Sequence, residues 1–235
     1  MSHLDVAQKV SGESTKQKQA KIAIWGASGH ALVVAEIIRL RGKYEIVGYL
    51  DSVLPQRKGN SFNGSTVLGG EEELQALLDK GVVHLTIAIG SCSARLKLAE
   101  KARSLGFILP TLVHPYSFIS SEASIGAGTV INAGVIIQPA CRLGNDILMN
   151  HNATIGHECV IEDGVHIAPG VALGGRTFVK RGTWVGIGSS VKGSLTIGEG
   201  CLIGAGSIVV SDIPDRVVAF GIPAKVVRGA KENEC

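Results

Sequence analysis

Stepping through the chain six residues at a time from Ile119 meets Ile119, Ile125, Ile131, Ile137, Leu143, Met149, Ile155, Ile161, Ile167, Leu173, Val179, Val185, Val191, Ile197, Ile203 and Val209. All sixteen are aliphatic or Met, with no insertion to break the register. A period of six sustained over this length marks a repeat architecture and constrains the fold more than any other feature of the chain. Alternating strands of a sandwich would show a period of two and irregular spacing. A second signal lies two residues before each aliphatic, where mostly small or β-branched residues recur, such as Thr129, Val135, Cys141, Ala153, Thr177 and Ser207. The residue after the aliphatic is often glycine, as at Gly126, Gly144, Gly156, Gly174, Gly186, Gly198 and Gly204.

Each hexapeptide reads as one short strand and one corner, and three of them as one triangular coil. The residue eighteen positions on then lies directly above, at about 4.8 Å, in a parallel ladder. Sixteen hexapeptides make just over five coils, a prism about 25 Å long. The aliphatics point inward and the small residues fit the corners. Composition agrees: 45% of residues are hydrophobic, only 4% are aromatic and 31 are glycine, which suits a core of small aliphatics. The net charge of +3, with no basic block, gives no support for nucleic-acid binding. No apolar run is long enough to cross a membrane, and the first twenty residues lack a signal-peptide stretch, so a cytoplasmic protein is expected. The Cys count is five, without a CxxC, which favours neither a disulfide framework nor a zinc knuckle. Cys141 and Cys159 fall one coil apart at an inward position and are expected to be reduced.

The residues before the repeat obey other rules. KIAIW (21–25) reads as a strand entering the turn Gly26-Ala27-Ser28-Gly29-His30, and 31–42 as a helix with a glycine stop. A strand at 44–51 ends on Asp51, followed by a helix at 71–81, a strand at 84–90 and a helix at 94–106. This alternation predicts a small Rossmann-like α/β domain. The division expected is a flexible lead-in over 1–20, the α/β domain over 21–113, the β-helix over 114–229 and a tail over 230–235. The glycine turn is a poor dinucleotide fingerprint, because Ser28 stands where the second glycine of GxGxxG would let a pyrophosphate approach.

The repeat, with the exit sequence Gly221-Ile222-Pro223-Ala224-Lys225, resembles the hexapeptide-repeat acyltransferases. That resemblance implies a left-handed parallel β-helix, a homotrimer, and acetyl-CoA bound in grooves between neighbouring prisms, with no metal. Joined to a Gly-x-Ser-Gly-His turn on a small α/β domain, it is similar to the bacterial acetyltransferases that modify nucleotide-linked 4-amino-6-deoxy sugars for cell-surface polysaccharides. Close relatives of that group O-acetylate sialic acid. The resemblance implies that Gly26, Ser28, Gly29, His30 and Asp51 line a nucleotide-sugar site, with Gly90 and Arg95 as further candidates and Asn150 approaching the acceptor. It assigns His166, Gly175, Ala205 and Lys225 to acetyl-CoA.

Acyl transfer needs a base for the attacking group and donors for the oxyanion, and imidazole with glycine-rich backbone supplies both. His157 lies below Gly175 and Gly193 in one column of eighteen-residue steps, and Glu158 lies below Arg176. His157 is therefore the candidate base and Glu158 the carboxylate that orients it; Gly156-His157-Glu158 also matches the family's Gly-His-Asp/Glu motif. The expected reaction is direct N-acetylation of the sugar amine, with O-acetylation of a sialic-acid-type hydroxyl as the alternative and a non-enzymatic nucleotide-sugar sensor behind it. A zinc site of the γ-carbonic-anhydrase type is disfavoured, because His151, His157 and His166 are spaced by six and nine residues, which does not match that family's five-residue pair.

Overall fold

The computed structural model describes residues 19–231 and residue 234. Most of the expected lead-in and part of the tail therefore lie outside the described residues. The α/β domain opens with β1 (Ala20–Trp25), α1 (Gly29–Arg41) and β2 (Tyr44–Leu50). A short hairpin follows, β3 (Ser61–Phe62) and β4 (Ser65–Gly69), then α2 (Leu74–Asp79), β5 (His84–Ile87) and α3 (Cys92–Ser104). The sheet order is β3-β4-β2-β1-β5, with all pairings parallel except that of β3 with β4. This hairpin was missed at the level of sequence: its strands are too short to show a period, and its one signal is the Asn63-Gly64 turn, where both residues have positive φ, 46° and 80°. The helix expected over 71–81 is shorter, with a single 3-10 turn at Glu71–Glu73 leading into α2.

From Leu112 onward the chain winds as a prism of two-residue strands. Face I carries the strands from Phe118–Ile119 to Ile208–Val209, face II those from Ser124–Ile125 to Thr196–Ile197, and face III those from Leu112–Val113 to Leu202–Ile203. Every partner within a face is eighteen residues away, as in Ile136 with Thr154 and His166 with Trp184. Together with the α/β domain this is the expected fold class: an α/β domain followed by a left-handed parallel β-helix. The first rung begins at Leu112 and pairs with Val130. The last is closed by an antiparallel hairpin, Val217–Gly221 with Ala224–Gly229, whose turn contains a cis Ile222-Pro223 bond.

The inward aliphatics from Ile131 to Val209 are all at most 5% exposed and form one continuous core. Cys141 and Cys159 belong to it as free thiols, bonded to the carbonyls of Gly156 and Gly174. Burial pushes the Cys159 thiol up to about 11. A second period lies three residues before each inward aliphatic, where the corner needs a left-handed backbone. Glycine meets that need at most corners, but Ala140, Asp146, Asn152, Glu158, Arg176 and Ser194 also adopt it.

The outward residues of face III explain how the two domains meet. Leu112, Val130 and Leu148 are buried against Ala31, Val34, Ala35 and Ile38 of α1 in one hydrophobic cluster. Helix α3 joins the corner between faces II and III. Arg103 makes a two-pronged ion pair with Asp146, both contacts 2.7 Å, and the Asp146 side chain is almost fully buried.

Candidate active site

The candidate residues fall on two separate parts of the chain. The first is the corner between faces I and II. His157 and Glu158 are both more than half exposed there, and the His157 Nδ1 lies 2.8 Å from Glu158 Oε2. A carboxylate accepts, so Nδ1 carries the proton and Nε2 keeps its lone pair. Glu158 reaches this position from a left-handed backbone with φ of 58°. Arg176, one coil above, approaches the same carboxylate oxygen at 3.8 Å and donates to Ser194 Oγ at 3.3 Å. Gly175 stands over the ring: a Cβ there would lie 2.6 Å from Nε2 and 2.7 Å from Cε1 of His157. The glycine column thus makes room for the imidazole itself. The neighbouring amides are taken, Arg176 N–H by His157 O and Gly174 N–H by Val191 O, whereas that of Gly175 has no acceptor among the described residues.

The second part is the seam between the α/β domain and face III. His166 follows Val130 and Leu148 in the outward column and is buried. Its Nδ1 lies 3.1 Å from the carbonyl of Gly90, its Nε2 lies 2.8 Å from Asn150 Nδ2, and its ring stacks on Trp184 at 4.6 Å. The carbonyl can only accept, so Nδ1 donates and Nε2 accepts from the Asn150 amide. Burial and the nearby Arg95 guanidinium hold His166 down to about 3, so it is a neutral ring of fixed tautomer. Asn150 in turn accepts from Asn132 Nδ2 at 2.9 Å. His30 is pushed down to about 4, first by burial and then by Arg95, and its Nε2 is buried without a hydrogen-bond partner. The Oδ1 of the buried Asn132 is also without one.

His166 and Gly175, both expected at acetyl-CoA, lie on different parts of the prism; both His166 nitrogens are engaged, and it sits with Asn150, Gly90 and His30. Arg95, 2% exposed, has no free edge for a ligand. Its guanidinium donates to the carbonyls of Ile89, Gly90, Asp146 and Gly164, which fastens the turn after β5 to the prism. Asp51 is likewise committed: Oδ1 accepts from the amides of Val53 and Leu54, and Oδ2 pairs with Arg57 at 2.8 Å. Gly26 is needed for its backbone, with φ of 134° and a Cβ that would meet Ala88 O at 2.5 Å. Ser28 and Gly29 are exposed at the start of α1, and Ser28 makes no side-chain cap. Ala205 lines an apolar groove with Trp184, Gly186, Ile187 and Leu202, of about 220 Å³, and Lys225 is exposed on the closing hairpin. The sequence reading passed over Arg57, Asn132 and Trp184. The eighteen-residue step links Asn132 to Asn150 and His166 to Trp184 and would have found two of the three. Among the described residues no cluster of His, Cys, Asp and Glu has the arrangement to hold a metal ion, and no helix is long and apolar enough to cross a membrane.

Known proteins share this fold. Residues 21–102 match the PglD N-terminal domain family. The UDP-N-acetylbacillosamine N-acetyltransferase of Bacillus subtilis (strain 168) is 38% identical over 115 residues, 48% of this chain and 51% of that protein, so the match spans about half the length of this curated relative. The crystal structure of PerB from Caulobacter crescentus, in complex with CoA and GDP-perosamine, superposes with a TM-score of 0.84 at 34% identity, covering 88% of this chain and 97% of that one. The acetyltransferase domain of PglB from Neisseria gonorrhoeae, in complex with acetyl coenzyme A, gives a TM-score of 0.83 at 37% identity over 89% of this chain and all of that domain.

Proposed function

This chain belongs to the family of acetyl-CoA-dependent nucleotide-sugar N-acetyltransferases represented by PerB and the PglB domain, and from that premise we propose that it acetylates the amino group of a nucleotide-linked 4-amino-4,6-dideoxy sugar by direct transfer. The observation that carries the mechanism is the His157–Glu158 contact of 2.8 Å, which leaves the Nε2 lone pair free on an exposed ring. The neutral amine attacks the thioester carbonyl, and Nε2 takes a proton from the nitrogen as the C–N bond forms. The unpaired Gly175 amide beside the ring is the donor for the oxyanion. The tetrahedral intermediate collapses, the C–S bond breaks, and the imidazolium proton neutralises the departing CoA thiolate. No covalent enzyme intermediate and no metal enters this sequence.

The α/β domain holds the nucleotide-sugar at the turn from Gly26 to His30, with Asn150 and His166 on the acceptor side. The orphan Nε2 of His30 and Oδ1 of Asn132 suit a sugar's hydroxyl or amino groups, because a buried polar atom without a partner costs about 1–3 kcal/mol. The apolar groove at Ala205 and the Lys225 hairpin take the pantetheine and phosphate parts of CoA. His157 lies on the corner between faces I and II, whereas Asn150, His166 and Ala205 lie on face III and its corner with face I. One chain does not bring these groups together, which supports a homotrimer whose sites lie between subunits. The outward column of face I, Phe118, Ile136, Thr154, Ala172, Ser190 and Ile208, carries no charge and suits such an interface. An acetyl-CoA-dependent reaction on a nucleotide-sugar fits the expected cytoplasmic location.

The test is thiol release from acetyl-CoA against UDP-, dTDP- and GDP-linked 4-amino-6-deoxy sugars and sialic acid. Turnover with an amino sugar, abolished in His157→Asn while CoA binding persists, is the expected result. Turnover with sialic acid alone would replace the amine by a hydroxyl acceptor.

A further inference from the structure

We infer that Arg57 is a positioning residue for the nucleotide-sugar: by gripping the Ala27 carbonyl and the Asp51 carboxylate together, it aims the turn at the head of α1 towards the diphosphate. This rests on the nucleotide-sugar reading of the α/β domain given above, to which it adds a residue outside the glycine turn. Arg57 lies in the 3-10 turn Pro55–Arg57, about thirty residues beyond the turn it touches. Its Nη1 donates both to Ala27 O at 2.7 Å and to Asp51 Oδ2 at 2.8 Å. The guanidinium carbon stands 5.3 Å over the centre of the Phe62 ring, which fixes the plane of the group from the side of the β3–β4 hairpin. The clamp therefore joins the ends of β1 and β2 and the hairpin beyond them through one side chain.

The consequence follows from peptide planarity. In a trans peptide the C=O and N–H point in opposite directions. Holding the Ala27 carbonyl on Arg57 therefore turns the Ser28 N–H away from Arg57, and no acceptor for that amide is found among the described residues. The next amides, of Gly29 and His30, open α1 and have no intrahelical partner. The first turn of α1 carries no acidic residue that would repel an anion. Without Arg57 the Ala27–Ser28 peptide loses the side-chain contact that sets its tilt, and the Ser28 amide is no longer held in place beside those of Gly29 and His30. The Asp51 carboxylate, turned inward by the same contact and by the amides of Val53 and Leu54, is kept from facing the phosphates as an unpaired negative charge.

The experiment measures binding of UDP and GDP by calorimetry, and steady-state kinetics with the nucleotide-sugar that the wild type turns over, for the wild type, Arg57→Ala and Arg57→Lys. In Arg57→Ala the Kd for the nucleotide and the KM for the nucleotide-sugar should rise about tenfold or more, while kcat, the KM for acetyl-CoA and the melting temperature change little. Arg57→Lys should recover part of the loss, since one ammonium can donate to both oxygens. An unchanged nucleotide Kd in Arg57→Ala would overturn the proposal and leave the nucleotide-sugar reading standing. Equal losses towards acetyl-CoA, or a fall in melting temperature that accounts for the whole effect, would overturn it in favour of a merely structural pair. A wild type that binds neither nucleotide and turns over no nucleotide-sugar would overturn the reading of the α/β domain and this inference with it.

Discussion

Replacing Gly175 by alanine separates the geometry of the base from the stability of the fold. The new Cβ would lie 2.6, 2.7 and 3.0 Å from Nε2, Cε1 and Cδ2 of His157, where ordinary contacts are about 3.5 Å or more. One of the two must retreat by roughly 0.9 Å. The backbone cannot, because Ser194 N donates to Gly175 O at 2.9 Å and Arg176 N to His157 O at 2.8 Å. The exposed imidazole can, at the expense of its contact with Glu158. Gly175 has no left-handed φ to disturb, so alanine adds no backbone strain and restricts the unfolded chain, worth about 0.4–1 kcal/mol in favour of folding. A base misplaced by about 1 Å costs on the order of a hundredfold in rate. Thiol release at saturating substrates, with thermal melting in parallel, should therefore show kcat reduced about a hundredfold with melting temperature and KM for acetyl-CoA preserved. A kcat within threefold of wild type would refute the placement of the ring as the base. A raised KM for acetyl-CoA with unchanged kcat would mean that the glycine makes room for the cosubstrate instead.

Glu158→Gly removes the orienting carboxylate from a left-handed position that costs a side chain about 1–2 kcal/mol. It should lower kcat roughly tenfold without lowering the melting temperature, whereas Glu158→Gln, which still offers an acceptor to Nδ1, should retain more activity. Stability should fall as pH drops. His166 and His30 have folded values near 3 and 4, below the unfolded value of about 6.5, so the unfolded state binds more protons between these limits. The loss starts as pH passes below about 6.5 and amounts to order 1 kcal/mol for each by pH 5.5; urea titrations of His166→Asn and His30→Asn at several pH values should show a flatter dependence, and a wild type equally stable at both ends would disprove it. Arg103→Ala leaves a buried Asp146 carboxylate without its partner and should destabilise by about 2 kcal/mol, below the roughly 3–5 kcal/mol of a fully buried pair because the Arg103 side chain is 38% exposed; calorimetry reads this directly. Co-expressing His157→Asn with Asn150→Ala subunits should restore activity that neither has alone, because mixed trimers contain sites with both groups intact; no recovery would place the whole site in one chain.

The prism and its contents were legible because the hexapeptide period writes burial directly into the sequence: the inward position must be aliphatic on every rung, and eighteen residues always mean one coil. The His157, Glu158, Gly175 and Arg176 neighbourhood followed from that arithmetic alone, since all four occupy one corner. The α/β domain was legible only as alternating elements. Its periodicity marks which residues are buried but not which strand each joins, so the hairpin at Ser61–Gly69 and the place of β4 beside β2 escaped notice.

What the sequence could not decide was which polar groups remain free. Asp51 and Arg95 have the right chemistry for a ligand, but folding engages Asp51 with Arg57 and Arg95 with backbone carbonyls from both domains. His166 likewise became a neutral, fully engaged ring only when α1 and the turn after β5 covered face III. By itself the sequence determined the periodic scaffold and the residues on each of its corners, because a repeat maps position onto geometry. Only the tertiary structure decided which polar side chains are engaged within the fold and which stay unpaired, because that depends on contacts across tens of residues that no local pattern encodes.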